Sequence, residues 1–175
     1  GEIAAYLDDD ILAEPGWLKG IAAVFRETGC DAAGGRIHLE TGGDPLPKWL
    51  IPVLWGYLGY MDDGNERVPL DGVRRYPHGG NMAIRREVFD RIGAFDVKIG
   101  RTGSKLYKGS ETEFFRRLSP TGATILYEPS ACVRHVVKPG ELTKKHFRIL
   151  QLRDGEQNAR REPVRSGRML MGVPL

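Results

Sequence analysis

The apolar residues of this chain occur in short runs and in helical spacings that predict alternating strands and helices. Residues 3–7 form a continuous apolar run of strand length, typical of a buried strand in a parallel sheet. Residues 14–16 are predicted to open a helix that ends at Gly29, with the apolar side chains of Trp17, Ile21, Val24 and Phe25 at helical spacing. Residues 32–39 predict a second strand, whose two glycines suit close backbone approach. The first forty residues therefore predict a strand-loop-helix-strand unit of an α/β protein.

The rest of the chain continues this alternation after a long segment without clear periodicity. Residues 40–80 are rich in glycine, proline and aromatic residues, which predicts a folded insertion near a binding site. The elements predicted after it are a helix over residues 85–92, a helix over 110–118, strands over 123–127 and 131–136 separated by a turn at Glu128-Pro129, and a basic amphipathic helix from residue 142. The first strand is expected to be central in its sheet. Because a central strand needs neighbours on both sides, we expect the chain to be part of a longer domain.

Three consecutive carboxylates, Asp8, Asp9 and Asp10, follow directly after the first predicted strand. Ligands of open α/β sheets bind beyond the carboxyl ends of the strands, so these acids are expected to face a cleft. Adjacent like charges repel unless water or a cation neutralises them, and oxygen-rich clusters suit divalent ions such as Mg²⁺ or Mn²⁺. Taken alone, however, an Asp triplet is more often a solvated acidic turn.

Two further features could belong to a binding site, but each also has an ordinary structural explanation. The loop that contains Gly79, Gly80 and Asn81 lets backbone amides approach a ligand closely, yet two glycines before a helix also form common turns. His135 lies at the end of a predicted strand. There its imidazole can ligate a metal ion or simply cover the edge of the core.

Glu111 is a candidate base at the start of the helix predicted over residues 110–118. Ser110 and Glu113 have the spacing of a capping box, which predicts that these two side chains cap the helix. Glu111 then has no capping role in the first turn, where its carboxylate could accept a proton. A surface glutamate that complements the helix dipole fits the same position equally well.

The composition is that of a folded globular protein, but its positive charge is uneven. The chain has 175 residues, of which 41% are hydrophobic and 28% charged, with a net charge of +3. Residues 134–168 contain ten Lys or Arg and four Asp or Glu, so this segment alone carries +6. Such a segment could contact phosphates or an anionic membrane, although a solvated basic helix is more common. Nucleic acid is not expected as a partner, because the only interleaved aromatic residue is Phe147.

The two cysteines and the most apolar segment indicate where in the cell the protein is located. Cys30 and Cys132 have no paired spacing, which predicts neither a disulfide framework nor a zinc site and fits a reducing compartment. Residues 49–61 are too few to span a bilayer and include Pro52. Core packing is the expected role of this segment, and its Trp and Tyr residues leave an interfacial contact with lipid open. We expect a cytoplasmic protein, with a peripheral position at the inner face of the membrane as an alternative.

The order of these features resembles family 2 glycosyltransferases of the GT-A fold over nearly the whole chain. The matching stretches are AYLDDDILAEPGWL, HGGNMAIRREVFDRIGAFD, GRTGSKLYKGSETEFFRRL and YEPSACVRH. The resemblance implies a GT-A-like, Rossmann-like mixed sheet flanked by helices. It also implies that the N-terminal half, which binds the nucleotide in that family, is missing. On this basis residues 1–140 are expected to be a partial catalytic domain, and residues 141–175 a basic amphipathic helix and tail.

The resemblance further implies a donor and metal site at the Asp triplet. Asp8 and Asp10 match the Asp-x-Asp pair of the family, with Asp9 between them. Asp8 would lie near the ribose or the metal, and Asp10 would bind a divalent cation, Mg²⁺ or Mn²⁺, that bridges the nucleotide diphosphate. His135 matches a histidine that helps to hold the metal or the diphosphate.

The remaining matches concern the sugar and the acceptor. Glu111 matches the position of the catalytic base, where many relatives have the Asp of a Glu-Asp pair and this chain has Ser110-Glu111. Gly79, Gly80 and Asn81 match the loop that lines the donor sugar and the acceptor. Glu111 keeps a carboxylate at the required place, so the resemblance implies the same base chemistry.

The expected function is sugar transfer from a nucleotide-diphosphate donor to a hydroxyl group, with inversion and with a bound divalent cation. The expected acceptor is a saccharide or a lipid-linked saccharide of cell-surface polysaccharide biosynthesis. An alternative is a non-catalytic GT-A remnant or scaffold that docks on a membrane or protein through its basic C-terminal helix. A nucleotidyltransferase is disfavoured, because its usual Gly-rich phosphate loop near the N-terminus is not present in this sequence.

Overall fold

The computed structural model describes residues 1–96, 109–161, 169–170 and 173–174, and it contains a mixed β-sheet covered by helices. Its strands are β1 (Ile3–Tyr6), β2 (Ile11–Ala13), β3 (Ala32–Glu40), β4 (Val68–Pro69), β5 (Met82–Arg85), β6 (Ile125–Val136), β7 (Met169–Leu170) and β8 (Val173–Pro174). Its helices are α1 (Trp17–Thr28), α2 (Arg86–Ile92), α3 (Ser110–Leu118) and α4 (Lys144–Arg161). Short 3₁₀ turns lie at Pro52–Leu58, Gly79–Asn81, Ser119–Thr121 and Pro139–Leu142. The α/β class predicted from the apolar pattern is confirmed.

The main sheet combines parallel and antiparallel pairs, as the resemblance implied. Its strand order is β1-β5-β3-β6-β2, with β4 also paired to β6, while β7 and β8 form a separate pair. β3 and β6 are parallel, and the other pairs are antiparallel. β1 lies at one end of the order and, among the described strands, pairs only with β5. The expectation that β1 is a central parallel strand is therefore wrong for this structure, and its side chains are only partly buried.

The two glycines of β3 lie where other backbone segments come into direct contact with the strand. A Cβ atom at Gly35 would lie 1.8 Å from the carbonyl oxygen of Ala131, and one at Gly34 would lie 2.6 Å from Cβ of Pro77. The β3–β6 register shifts next to this contact, between Gly35 and Ile37. The close approach predicted from the sequence is confirmed, and it requires glycine at both positions.

The predicted turn at Glu128-Pro129 does not form, and β6 continues through it. The bulge opposite Gly35 accommodates the extra residues of β6 without ending the strand. The buried Glu128 carboxylate contacts the Arg67 guanidinium and accepts hydrogen bonds from the Ser130 N–H and hydroxyl at 3.0 and 2.6 Å. Because these groups satisfy the carboxylate inside the sheet, the polar residue does not force a turn.

Helix α1 forms as predicted and packs against β6. Its apolar side chains Ile21, Val24 and Phe25 are buried, which gives the helix its orientation on the sheet. Gly29 follows in the left-handed conformation, with φ of 66°, and its N–H donates to the Phe25 carbonyl at 3.0 Å. A glycine at this position ends the helix without strain.

The predicted capping box at the start of α3 does not form. Gly109 is the N-cap residue, and the helix start has no side-chain cap. Glu113 instead pairs with Arg117 one turn further along the helix, at 2.5 Å. An ion pair four residues apart therefore replaces the predicted contact between Ser110 and Glu113.

The segment predicted to be a folded insertion packs against α4. Leu50, Leu58, Val137 and Phe147 are buried together, and the Trp49 ring meets the Phe147 ring edge to face at 5.1 Å. We call this cluster and the segments that carry it, residues 46–58 and the first turns of α4, the insertion lobe. The folded insertion is thereby confirmed.

Helix α4 is amphipathic only in part. Phe147 and Leu150 are buried, but Ile149 and Leu152 are exposed, with Leu152 retaining 69% of its accessible surface. The basic residues of its first turns therefore share the outward face with apolar side chains, which departs from the predicted polar face.

Burial alone would raise the pKa of Glu128, but the hydrogen bonds from Ser130 and the ion pair with Arg67 lower it below its ordinary value near 4.5. A folded-state pKa below the unfolded value stabilises the protein at higher pH. This stabilisation is present above about pH 4.5 and is lost as the pH falls through the lower folded-state value. Glu128→Gln should remove this contribution, so the stability of the variant should depend less on pH in that range.

Arg67→Ala should destabilise the fold by about 3 kcal/mol, because it leaves the Glu128 carboxylate buried without its cation. Urea denaturation at neutral pH measures this change. The control is Arg26→Ala, since Arg26 is 74% exposed and forms only a surface pair with Glu27 at 3.6 Å. Equal effects of the two substitutions would contradict a structural role for the Arg67–Glu128 pair.

Candidate active site

The Asp triplet lies in the short connection between β1 and β2, which belong to opposite ends of the strand order. The turn is closed by the Ile11 N–H, which donates to the Asp8 carbonyl at 3.2 Å. The Asp10 carbonyl accepts the N–H of Val136 at 2.9 Å, which fixes the end of the turn to β6. Asp8 and Asp9 are exposed, whereas Asp10 is half-buried. The connection therefore brings the triplet to the end of the longest strand.

Asp10 and His135 lie side by side. The Oδ2 atom of Asp10 is 3.5 Å from Nε2 of His135. The other ring nitrogen of His135, Nδ1, is 2.7 Å from the carbonyl oxygen of Leu58. Because a carbonyl can only accept, Nδ1 carries the proton in this contact, and Nε2 is the ring nitrogen that faces Asp10. The predicted proximity of these two residues is thus present in the structure.

The described residues contain no group of three or more His, Cys, Asp or Glu side chains close enough together to hold a metal ion. Asp10 and His135 form a pair of potential ligands rather than a complete protein cage. Any cation at this pair would have to take further ligands from a substrate, from water or from other parts of the protein.

The Gly79-Gly80 turn brings Asp8 and Glu111 together. A Cβ atom at Gly80 would lie 3.4 Å from Oδ2 of Asp8, and one at Gly79 would lie 2.3 Å from Oε1 of Glu111. The two carboxylates therefore flank the same 3₁₀ turn. A side chain at Gly79 would displace Glu111, which explains why this position suits glycine.

Asn81, the last residue of this turn, is buried in the core instead of facing the cleft. Its Oδ1 accepts a hydrogen bond from the indole N–H of Trp17 at 2.8 Å. Its Nδ2 donates to the carbonyls of Arg36 at 3.2 Å and Ala131 at 2.8 Å. With no exposed surface, Asn81 supports the turn from beneath, and its side chain is not presented to a ligand. This differs from the expectation that Asn81 contacts the donor directly.

Glu111 lies in the first turn of α3 and is half-buried. Its Oε2 accepts a hydrogen bond from the Ser110 hydroxyl at 3.2 Å. Residues 97–108 lie outside the described residues. Most of the matching stretch that precedes Ser110 falls in this range. The described contacts leave the Oε1 side of Glu111 directed towards Gly79.

Sequence reasoning missed the cavity that adjoins this site. It has a volume of about 280 Å³ and is lined by residues of two segments of the insertion, namely Tyr60, Met61, Asp62, Asp63, Arg74, Arg75, Tyr76 and His78. Burial alone would raise the pKa of Asp62, but the Gly64 N–H and the Arg36 guanidinium hold it below its ordinary value. The only signal in the sequence was the aromatic content of residues 40–80, which indicated a region and no particular residue.

Comparison with known proteins identifies the fold and the family of this chain. The solved structure of GalNAc-T7 with UDP, GalNAc and Mn²⁺ superimposes with a TM-score of 0.52 and 17% identity, covering 86% of this chain and 31% of that one. The mixed sheet has the GT-A glycosyltransferase fold. The model of glycosyl transferase family 2 matches residues 1–93, which is more than half of the chain. The chain therefore belongs to glycosyl transferase family 2.

Two relatives of known name also align with most of the chain. The glucosyl-dolichyl phosphate glucuronosyltransferase of Haloferax volcanii is 28% identical over 142 residues, covering 77% of this chain and 43% of that protein. The succinoglycan biosynthesis protein ExoM of Rhizobium meliloti is 25% identical over 163 residues, covering 91% and 48%. The chain thus spans less than half the length of either relative.

Asn81→Ala should destabilise the fold by about 3 kcal/mol, because the Trp17 indole N–H and the carbonyls of Arg36 and Ala131 lose their common partner. Urea denaturation tests this, with Asn65→Ala as the control. Asn65 is exposed and accepts a single hydrogen bond from Arg36, so its loss should cost less than about 1 kcal/mol. If Asn81→Ala were no more destabilising than the control, Asn81 would not be a structural support.

Proposed function

We propose that this chain is the catalytic portion of a glycosyltransferase that moves a sugar from a nucleotide-diphosphate donor to an acceptor hydroxyl. The observation that carries the proposal is the Gly79-Gly80 turn, which has the Asp8 carboxylate on one side and the Glu111 carboxylate on the other. Asp8 lies two residues before the candidate metal ligand Asp10, and Glu111 is the candidate base. Membership of glycosyl transferase family 2 supports this assignment.

The Asp10–His135 pair fits a divalent cation such as Mg²⁺ or Mn²⁺. The Nδ1–H of His135 is held by the Leu58 carbonyl, which is the arrangement that orients a metal-binding histidine through its other nitrogen. A carboxylate and an imidazole suit Mn²⁺, and the solved GalNAc-T7 structure contains this ion. When bound, such a cation stabilises negative charge on the departing diphosphate. Asp8 and Asp10 would hold the donor from the protein side, with Asp9 exposed between them.

Glu111 would act as the general base. Its carboxylate would take the proton from the acceptor hydroxyl as the hydroxyl oxygen bonds to the anomeric carbon of the sugar. The bond between that carbon and the diphosphate oxygen breaks in the same step, and its electron pair leaves with the nucleoside diphosphate. Attack opposite the leaving group inverts the anomeric centre. The glycines of the 79–80 turn let its backbone lie against both carboxylates.

Glu111→Gln should lower the turnover number roughly 10²- to 10⁴-fold, because the amide cannot accept the proton. Binding of the donor in the presence of Mn²⁺ should be retained in this variant and weakened in Asp10→Asn. The full-length protein is assayed with a panel of sugar nucleotides for donor hydrolysis and transfer, and donor binding is measured separately.

Glu113→Gln is the control for this experiment, since Glu113 lies in the same helix and is engaged with Arg117. Its turnover number should stay close to that of the wild type. Unchanged turnover in both Glu111→Gln and Asp10→Asn would exclude the proposed mechanism. Absence of hydrolysis and transfer by the wild-type protein with every donor would exclude the function.

A second candidate role, docking on a membrane surface, is favoured by the insertion lobe. Val53 and Ile51 retain 78% and 52% of their accessible surface, and Leu152 of α4 is similarly exposed. The basic residues Lys144 and Lys145, at the start of α4, are also exposed. Exposed apolar side chains together with lysines suit an anionic lipid surface. We infer that the lobe and the basic residues of 141–175 form this contact, while residues 1–140 carry the catalytic site.

No helix in the described ranges is long and apolar enough to cross a bilayer. A peripheral contact would bring the active site near a lipid-linked acceptor.

Val53→Glu should reduce binding to vesicles that contain anionic lipid, as measured by flotation. The matched control is Leu18→Glu, because Leu18 is 66% exposed but belongs to α1, outside the lobe. Binding should also weaken with added salt, since lysines contribute. Equal binding of Val53→Glu and the wild type, or equal loss in the control, would contradict a lipid contact at the insertion lobe.

A further inference from the structure

We infer that the cavity lined by residues 60–63 and 74–78 holds the acceptor saccharide, and that Arg74 binds an oxyanion carried by this acceptor. The inference rests on the proposed function, because it assigns the second substrate of the same site.

Two residues that line the cavity, Tyr76 and His78, lie next to the elements that hold the candidate base. The Tyr76 hydroxyl is 2.8 Å from the Thr112 hydroxyl, and Thr112 directly follows Glu111. The Tyr76 ring also stacks on Phe115 of the same helix, with ring centroids 5.8 Å apart. His78, another lining residue, directly precedes Gly79, whose backbone adjoins the Glu111 carboxylate. A hydroxyl group at this end of the cavity would lie next to the base.

Aromatic rings give the cavity surfaces that suit a sugar ring. Tyr60 meets Trp55 edge to face at 5.2 Å and stacks with His38 at 6.3 Å, so its ring is held in place. Tyr76 is fixed from the opposite segment by its contacts with α3. Tyrosine combines an apolar face with a polar hydroxyl, which matches the apolar faces and hydroxyl groups of a pyranose.

The two carboxylates that line the cavity, those of Asp62 and Asp63, each form an ion pair with an arginine. Asp62 lies 3.1 Å from Arg36 Nε, and Asp63 lies 2.7 Å from a terminal nitrogen of Arg75. Both carboxylates can still accept hydrogen bonds from sugar hydroxyls through their remaining lone pairs. Their negative charge is therefore balanced by residues other than Arg74.

Arg74 differs from these arginines, because it forms no ion pair of 4.0 Å or less with a carboxylate among the described residues. Asp71 accepts three backbone N–H bonds, from Val73, Arg74 and Arg75, at 2.6 to 3.0 Å. These bonds lower the pKa of Asp71 more than the charge of Arg74 does, and no ion pair joins the two side chains. The Arg74 guanidinium lines the cavity and is available to a ligand.

A guanidinium binds carboxylates and phosphates through paired N–H donors. The oxyanion could therefore be the carboxylate of an acidic sugar or the phosphate of a lipid-linked sugar. Both sources share one chemistry, a planar or tetrahedral oxyanion attached to a hydroxyl-rich ring.

Three kinds of probe can be tested against the full-length protein by direct binding. They are oligosaccharides that contain a glucuronate residue, the same oligosaccharides with that carboxylate reduced to an alcohol, and short saccharides that carry a terminal phosphate. The variants are Arg74→Gln, Arg74→Lys and, as the control, Arg26→Gln, which changes an exposed arginine of α1.

Wild-type protein should bind at least one acidic probe more tightly than its neutral counterpart. Arg74→Gln should weaken that binding roughly 10- to 100-fold, as expected for the loss of a charge-assisted hydrogen bond. Arg74→Lys should recover part of the affinity because it keeps the charge, and Arg26→Gln should match the wild type. Loss confined to the glucuronate probes identifies a sugar carboxylate, and loss confined to the phosphate probes identifies a phosphate.

Equal binding of acidic and neutral probes, no binding of any probe, or an unchanged affinity in Arg74→Gln would overturn the inference. Donor hydrolysis by the wild-type protein, with water as the acceptor, is measured in parallel. Hydrolysis without selective binding of acidic saccharides would reject the acceptor assignment alone. Selective binding without hydrolysis or transfer would reject the proposed function while retaining the saccharide site.

Discussion

The structure depends on one close contact between backbone segments, where the glycines of β3 meet β6 and the segment before the Gly79-Gly80 turn. The backbone at Gly35 lies against Ala131, and Gly34 lies against Pro77, at distances that exclude any side chain. Asn81 closes the same contact, because its amide bonds to the carbonyl of Ala131. The bulge in β6 and the position of the turn follow from this contact. It therefore connects the core of the sheet to the two carboxylates of the candidate site.

The sequence allowed the elements with strong local signals to be predicted. Helix α1 has a regular apolar stripe and a terminal glycine, and both features depend only on nearby residues. The turn expected at Glu128-Pro129 was wrong, because the partner that keeps Glu128 inside the sheet, Arg67, is 61 residues away. The position of β1 at the end of the sheet was also missed. A short apolar run does not reveal how many neighbours a strand has.

The candidate site was predictable in its residue types and less so in its arrangement. The proximity of Asp10 to His135, and of Glu111 to the glycine turn, agrees with what the resemblance implied. Asn81 differs, because its hydrogen bonds to Trp17 and to two carbonyls come from segments far apart in the chain. Arg74 could not have been chosen from the sequence, since its significance depends on which neighbouring charges are already balanced.

The hydrogen bond between His135 and Leu58 joins two regions with different proposed tasks. Leu58 belongs to the insertion lobe, whose exposed residues include Val53, while His135 faces Asp10. If the lobe moved relative to the sheet, this bond would break or the imidazole would move with the lobe. The imidazole therefore contacts both regions, the lobe through Nδ1 and the Asp10 carboxylate through Nε2. Binding of a partner to the lobe that displaced Leu58 would change the distance between Nε2 of His135 and Oδ2 of Asp10.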